Sequence, residues 1–244
     1  MKHLFVLLIT LSTAPLVFGA TPDKTDILNG VQLLTSKESS TRSYIGHTEK
    51  SLPYGIQTVM NGITNFSDKC NNDLKSKRVF TSEEDCKYLN ENLIETVVIK
   101  DITRPENLKN FKESYLIGRK VYNRGEFGYY ELVTIREEVN EKKQRVIYVD
   151  LTMLNDDEVK NYTELKIKKE TAFDSSISSY RITEVSPSET LVRYEYSATT
   201  KHWLLNKELS VPQVFSSISR GINLLFESIE GESSYTKREV ASQN

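Results

Sequence analysis

Histidine is scarce in this sequence of 244 residues, and that scarcity limits the chemistry available to the chain. Of its three histidines, only His47 and His202 lie beyond an apolar run at the N-terminus. A Ser-His-Asp arrangement would need one of these two, and the Gly-x-Ser-x-Gly turn that presents a nucleophilic serine is absent. The His-Glu-x-x-His pattern of zinc proteases and a glycine-rich phosphate loop are absent as well. The sequence therefore favours binding over catalysis and predicts no catalytic residue.

Cysteine is equally sparse, with only Cys70 and Cys86. Two cysteines and two histidines make a poor ligand set for a metal, so we predict neither a metal site nor a cofactor. In an oxidising compartment such a pair most simply forms one disulfide, which stabilises by about 3 kcal/mol in the chain-entropy model. The alternative is two separate thiols, one of them buried.

Long apolar segments are missing after the first twenty residues. Lys2 and His3 precede an apolar run from Leu4 to Phe18, which is short for a transmembrane helix and ends in small residues. We interpret residues 1–20 as a signal peptide cleaved after Gly19 or Ala20, with an uncleaved membrane anchor as the alternative. This predicts a secreted protein, with the periplasm favoured over the extracellular space, and no transmembrane segment in the mature chain.

The charge of the mature chain is nearly balanced. Without Lys2, 31 basic side chains stand against 34 acidic ones, a net charge of −3. Nucleic-acid binders present basic faces, and polybasic segments attract anionic lipid headgroups; the sequence gives no reason to expect either. The length suits one well-packed domain, which we expect to be monomeric.

The chain divides into four segments. The signal peptide is followed by a polar leader at residues 21–50, rich in Ser and Thr, in which we predict a short helix at 26–34. The folded domain spans residues 51–231 and begins with a helix at 55–75, where apolar residues recur at helical spacing. Residues 232–244 are polar and are predicted to be a disordered tail.

Strand patterns dominate the middle of the domain. A polar turn at residues 140–143 separates two strong candidates, and Asn155 is placed to cap a short turn of helix. Predicted strands cover 94–102, 116–122, 127–137, 145–153, 164–173, 178–185 and 190–197.

The last predicted strand leads into the most regular segment of the sequence. Val192, Tyr194 and Tyr196 alternate with polar residues, as in a half-buried strand. After a loop around His202, Ser210 is placed to cap a long amphipathic helix. Its apolar face contains Val214, Phe215, Ile218, Ile222, Leu225, Phe226 and Ile229.

This order of elements resembles the START-like, or polyketide-cyclase and lipid-transfer, superfamily. The likeness depends on residues 114–122, on the strand at 190–196, on residues 202–207 and on the helix that begins near Pro212. It implies an α+β helix-grip fold, in which a curved antiparallel sheet wraps around a long C-terminal helix. It also implies a hydrophobic ligand between the sheet and that helix, in a superfamily where many members are not enzymes.

Tyrosine provides the candidate binding site, because an apolar ring with a hydroxyl suits an amphipathic ligand. The sequence has thirteen tyrosines against nine phenylalanines, many of them on predicted strands. The helix contributes Gly221, where the missing side chain either allows close packing or leaves room for a ligand. The predicted ligand-binding residues are Tyr130, Tyr148, Tyr180, Tyr194, Tyr196, His202, Trp203, Ile218, Gly221, Ile222 and Leu225.

Three functions remain open at this point. The favoured one is binding or carriage of a hydrophobic, lipid-like molecule, whose polar end would be held by tyrosine hydroxyls, His202 or Arg193. The second is a non-catalytic module of the cell envelope with a packed interior, which would bind a protein partner through an exposed patch near Trp203. The third is a cyclase or hydrolase that uses an inward-pointing acid, base or His202.

Overall fold

The chain folds into one large sheet and a long C-terminal helix. The structure is a computed structural model that describes residues 22–64, 95–99, 111–120, 127–162, 168–169 and 172–242. The elements are β1 (Lys24–Leu28), β2 (Val31–Glu38), β3 (Thr41–Leu52), α1 (Ile56–Thr64), β4 (Glu95–Ile99), β5 (Phe111–Lys120), β6 (Phe127–Val139), β7 (Arg145–Met153), α2 (Asp156–Val159), β8 (Lys168–Lys169), β9 (Ser175–Ser186), β10 (Glu189–Thr200) and α3 (Val211–Ser242).

All ten strands in the described part of the chain belong to the same sheet. Their order is β1-β2-β3-β10-β9-β7-β6-β5-β4, with antiparallel neighbours, and the two-residue β8 pairs in parallel with β6. Within this order the N-terminal strands lie next to the C-terminal ones, because β3 pairs with β10 from Arg42↔Thr200 to Leu52↔Thr190. The sheet and its C-terminal helix confirm the predicted α+β, helix-grip fold.

The N-terminal segment corrects one prediction. Residues 21–50 do not form a leader with a helix at 26–34, because β1, β2 and most of β3 lie there. Asn29 and Gly30, with φ of 50° and 78°, form the tight turn between β1 and β2, and Asn-Gly is a strong hairpin signal. Buried Val31 and Leu33 then alternate with half-buried neighbours, a strand pattern that the polar composition masks.

The meander from β5 to β7 agrees with the sequence. The β6–β7 turn is held by Asn140, whose Oδ1 accepts hydrogen bonds from the backbone N–H of Lys142 and Gln144. Asn155 caps α2 as predicted: its side chain accepts from the N–H of Glu158, and the Glu158 carboxylate accepts from the N–H of Asn155. This turn covers a small apolar cluster on one side of the sheet, formed by Leu116, Tyr130, Leu154 and Val159.

The C-terminal helix is longer than the sequence predicts. The predicted tail at residues 232–244 is instead helical through Ser242, because Glu, Lys, Arg and Ala are good helix formers that need no apolar periodicity to continue a helix. Ser210 does not cap α3: a 3-10 turn at Glu208–Ser210 runs directly into it, and the Ser210 hydroxyl donates to the carbonyl of Leu204. In the described part of the chain, no helix is long and apolar enough to cross a membrane.

The two faces of the sheet have different surroundings. The inner face is the one on which α1 and α3 pack; α3 contacts β1, β2 and β3, and α1 contacts β9, β10 and α3. The opposite, outer face includes the small cluster beside α2. The main core lies on the inner face, where Tyr44, Val149, Ile182 and Val192 meet Phe215 and its neighbours on α3.

Several predictions fall outside the described residues. The signal peptide at 1–20, the disulfide between Cys70 and Cys86, and the second half of the helix predicted at 55–75 lie there. The strand predicted at 164–173 is described only in part, as β8 at Lys168–Lys169.

Candidate functional site

Three of the five candidate tyrosines lie together on the inner face. Tyr180 on β9 is the register partner of Tyr194 on β10, and their ring centroids are 4.7 Å apart. The Tyr194 hydroxyl lies 3.1 Å from Oγ of Ser178, to which it donates. Ser178 is in turn the register partner of Tyr196. Strand alternation therefore places Tyr180, Tyr194 and Tyr196 in one patch on the inner face, and their role in ligand binding stays a prediction.

The hydroxyl of Tyr196 occupies an unusual environment. Burial raises its pKa far above the usual value, and electrostatic interactions with Tyr129, Tyr194 and Glu131 raise the pKa further. The residue as a whole is partly exposed, although its hydroxyl lies deep. The hydroxyl is therefore neutral at physiological pH and available as both donor and acceptor.

Two of these neighbours come from a distant strand. Tyr129 and Glu131 are on β6, and β9 and β7 separate β6 from β10 in the sheet. Their electrostatic effect on Tyr196 requires that the side chains converge above the inner face, as a curved sheet allows. We call Tyr129, Glu131, Tyr194 and Tyr196 the tyrosine–glutamate cluster.

Glu131 gives this cluster an acidic group in apolar surroundings. It is 6% exposed, and its register partners are Met153 on β7 and Ile117 on β5, both buried. A carboxylate in such a place is expensive to bury unless it accepts hydrogen bonds. With about four lone-pair directions, one carboxylate accepts from several donors at once. The cluster is thus suited to receive a polar group that donates hydrogen bonds.

The predicted residues of α3 cover the same region. Ile218 and Ile222 are buried in the main core, and Leu225 packs against it partly buried. The register partner of Tyr196 on β3 is Gly46, and a Cβ at Gly46 would lie 2.7 Å from Cγ2 of Ile218. Glycine at this position therefore lets α3 approach the sheet beside Tyr196.

Tyr130 and Tyr148 are not part of the site, because alternation directs both to the outer face. Tyr130 lies in the small cluster beside α2. Tyr148 donates to the Glu138 carboxylate at 2.7 Å and lies 4.9 Å and 6.0 Å from the guanidinium groups of Arg136 and Arg181. The prediction that these two tyrosines contact a ligand on the inner face is wrong.

The loop and glycine predictions also need correction. His202 and Trp203 are both exposed on the loop between β10 and α3, so neither lines the space under the helix. His202, one of the groups that the enzymatic alternative could use, is exposed on the loop. Gly221 lies on the solvent side of α3, and a Cβ there would have no atom within 4 Å. It neither allows close packing nor leaves room for a ligand. Arg193 is likewise on the outer face, paired with Glu49 at 2.7 Å.

Sequence reasoning missed Tyr129, Glu131 and Gly46. Strand alternation along β6 was the available signal, because Tyr129 and Glu131 share the parity of buried Val133 and Ile135. That signal is ambiguous on β6, where Tyr130 on the other face is buried as well.

No protein-family model matches the chain, and no curated protein matches it. Several solved structures are similar in fold. Human STARD10 is 10% identical, with a TM-score of 0.49, and the match covers 90% of this chain and 77% of that one. Human StAR-related lipid transfer protein 5 is 11% identical, with a TM-score of 0.48, and the match covers 88% of this chain and 87% of that one. Norcoclaurine synthase of Thalictrum flavum, in complex with dopamine and hydroxybenzaldehyde, is 10% identical, with a TM-score of 0.39. That match covers 82% of this chain and 89% of the other. The antiparallel sheet and the long C-terminal helix are the α+β arrangement that the sequence predicts.

Proposed function

We propose that the chain binds an amphipathic, lipid-like molecule between the inner face of the sheet and α3. One observation supports this proposal above the others. Tyr196 is on the inner face yet partly exposed as a residue, and the buried carboxyl of Glu131 is near enough to raise the pKa of its hydroxyl. A polar, reachable position inside an otherwise apolar space is what a molecule with one polar end requires.

The apolar part of the ligand would supply most of the affinity. Each CH₂ group transferred from water to the inner face stabilises the complex by roughly 0.8 kcal/mol. The environment that an apolar chain would enter is the core at the inner face, with Val149, Leu151 and Val133 on the sheet and Ile218 and Leu225 on the helix. Such apolar surroundings select a ligand by the length and shape of its apolar chain rather than by any one chemical group.

The polar end of the ligand would set its class. Glu131 accepts hydrogen bonds, whereas a ligand carboxylate would bring a second negative charge beside it. The tyrosine hydroxyls both donate and accept. The cluster therefore favours an alcohol or an amine over a fatty acid of the same length.

Competition binding tests this proposal. Anilinonaphthalene sulfonate serves as the fluorescent probe, and hexadecanol, hexadecylamine and palmitate displace it from the mature protein. We expect the alcohol and the amine to displace the probe at lower concentration than palmitate. Tyr196→Phe should weaken hexadecylamine by about fivefold through loss of one hydrogen bond. Tyr148→Phe, which removes a hydroxyl from the outer face, is the matched control and should change nothing.

Native mass spectrometry of mature protein from its own host's envelope gives an independent test. A discrete extra mass that extracts as lipid supports the proposal. A bare polypeptide mass, together with no displaceable probe, contradicts it and favours the non-catalytic interaction module. Export to the periplasm is part of the proposal, supported by the apolar N-terminal run.

A further inference from the structure

The loop at residues 201–210, between β10 and α3, exposes three large apolar side chains. Trp203 is 68% exposed, Leu204 45% and Leu209 93%. Exposed Val139 and Val185, by contrast, lie at the opposite end of the sheet, and Ile177 is a single exposed side chain on β9. A group of apolar side chains on one loop marks an interaction surface more strongly than scattered single residues do.

Buried side chains hold the backbone of this loop in place. The Tyr44 hydroxyl donates to the carbonyl of Leu205 at 2.6 Å, and Nε of Arg42 donates to the carbonyl of Asn206 at 3.3 Å. Nη2 of Arg42 pairs with the Glu208 carboxylate at 2.8 Å. Arg42 and Tyr44 are themselves almost completely buried. The exposure of Trp203 and Leu209 is therefore fixed by anchored backbone.

Two lysines of the loop flank the apolar side chains, and the Asp174 carboxylate of the neighbouring segment accepts a hydrogen bond from the backbone N–H of Lys201. Nζ of Lys207 lies 4.7 Å from the centroid of the Trp203 ring, and Lys201 is exposed near the other end of the loop. Glu208 is the one acidic residue of the loop, and Arg42 neutralises it. Tryptophan is enriched at the boundary between lipid headgroups and acyl chains, and lysine extends its ammonium group to the headgroup phosphates.

We propose that this loop docks the protein on a lipid surface, with Trp203 and Leu209 at the headgroup boundary and Lys201 and Lys207 at the phosphates. Apolar insertion contributes more than charge, because only two lysines take part and the chain has no polybasic segment. The same apolar residues could contact a protein partner, but the pairing of Lys207 with Trp203 favours a lipid bilayer as the binding partner.

The position of the loop agrees with this role. β10 ends at Thr200, directly before the loop, and β6 begins at Phe127 at the same end of the sheet. Tyr129 lies near that end of β6, so the tyrosine–glutamate cluster lies toward the docking loop. Docking does not depend on an occupied inner face, so it can hold whether or not the proposed ligand site is correct.

Fluorescence of the mature protein tests the docking directly, because Trp203 is the sole tryptophan of the sequence. Vesicles of phosphatidylethanolamine and phosphatidylglycerol should shift its emission to shorter wavelength, and acyl chains carrying bromine should quench it. Leu209→Ser should lower the vesicle partition coefficient about tenfold, with unchanged thermal unfolding because the side chain is exposed. Val139→Ser, an exposed residue at the opposite end of the sheet, is the matched control and should bind like the natural chain.

Two results would overturn the proposal. One is an emission spectrum that vesicles leave unchanged, with no protein floating alongside them, which would point to a protein as the occupant. The other is an equal loss of binding in Leu209→Ser and Val139→Ser, which would mean that the loop has no special part. Neither result bears on displacement of the fluorescent probe from the inner face.

Discussion

Tyr196 and Tyr148 show how differently the two faces of one sheet use the same residue type. Burial is the main reason that both pKa values are raised. On the inner face, Tyr196 has Tyr129, Tyr194 and Glu131 for neighbours, with no cation among the groups that shift its pKa. On the outer face, Tyr148 lies near Arg136 and Arg181, which lower its pKa in part. The inner face thus encloses a few polar groups in apolar surroundings, whereas the outer face around Tyr148 is a hydrogen-bonded layer of charges.

Removal of a large aromatic ring should give the largest difference in stability between the two faces. Phe215 is fully buried and meets the Tyr44 ring edge-on at 6.2 Å. We expect Phe215→Ala to lower the free energy of unfolding by about 3–5 kcal/mol, from lost transfer and the cavity left behind. Tyr148→Ala on the outer face should cost only about 1–2 kcal/mol, from cation–π contact and partial burial. Urea denaturation measures both, and similar values would mean that the outer layer is as tightly packed as the core.

Ion pairs on the two faces should show the second largest difference in their contribution to stability. Arg42 is 2% exposed while its partner Glu208 is 65% exposed, so Glu208→Ala leaves a buried guanidinium without a counter-charge and should cost about 2–3 kcal/mol. Arg42→Met leaves only a solvated carboxylate and should cost less. Glu49→Ala, which breaks the exposed outer-face pair with Arg193, should cost under about 1 kcal/mol. If Arg42→Met proved the most damaging of the three, packing of the Arg42 stem would outweigh the charge.

Two glycines give substitutions of opposite sign. At Gly46 on the inner face a Cβ would lie 2.7 Å from Ile218 and 3.0 Å from Ile222, so Gly46→Ala should destabilise by about 1–3 kcal/mol. At Gly221 on the solvent side of α3 a Cβ meets nothing, so Gly221→Ala should stabilise by up to about 1 kcal/mol through better helix propensity. Thermal melts of both variants check the signs. A harmless Gly46→Ala would show that α3 can move away from the sheet.

The smallest expected effect is a change in the free energy of unfolding at alkaline pH. Because the folded state raises the pKa of Tyr196, the unfolded state loses its proton first, and stability falls as pH rises above the unfolded pKa near 10. Tyr196→Phe should therefore flatten the loss of unfolding free energy between about pH 8 and 10.5 by less than about 1 kcal/mol. Tyr148→Phe should flatten it less, because two arginines oppose the shift there. Equal slopes for both variants would remove the proposed difference between the faces.

The sequence predicted the elements whose periodicity is strong. β7 spans Arg145–Met153 as expected, and the apolar face of α3 is the predicted one as far as Ile229. It failed for β1 and β2, where the polar composition drew attention from the hairpin turn at Asn29 and Gly30. Local composition is a poor guide to such strands, because β2 buries only alternate side chains, among them Val31 and Leu33, between polar residues.

The candidate site was predictable only in part. Alternation along β10 placed Tyr194 and Tyr196 on the inner face, and pairing brought Tyr180 beside them. Tyr148 was misplaced because residue type says nothing about strand parity. The approach of Tyr129 and Glu131 to Tyr196 depends on the curvature of four strands. No local pattern in the sequence records such curvature.

The pairing of β3 with β10 has a consequence for the time at which the chain can fold. Leu52 leaves the ribosome well before its partner Thr190, and roughly 140 residues at 5–20 residues per second separate them by on the order of ten seconds. During that interval β3 has one unpaired edge, which other chains can join. The N-terminal hairpin therefore presents an open edge to other chains until the last strand is synthesised.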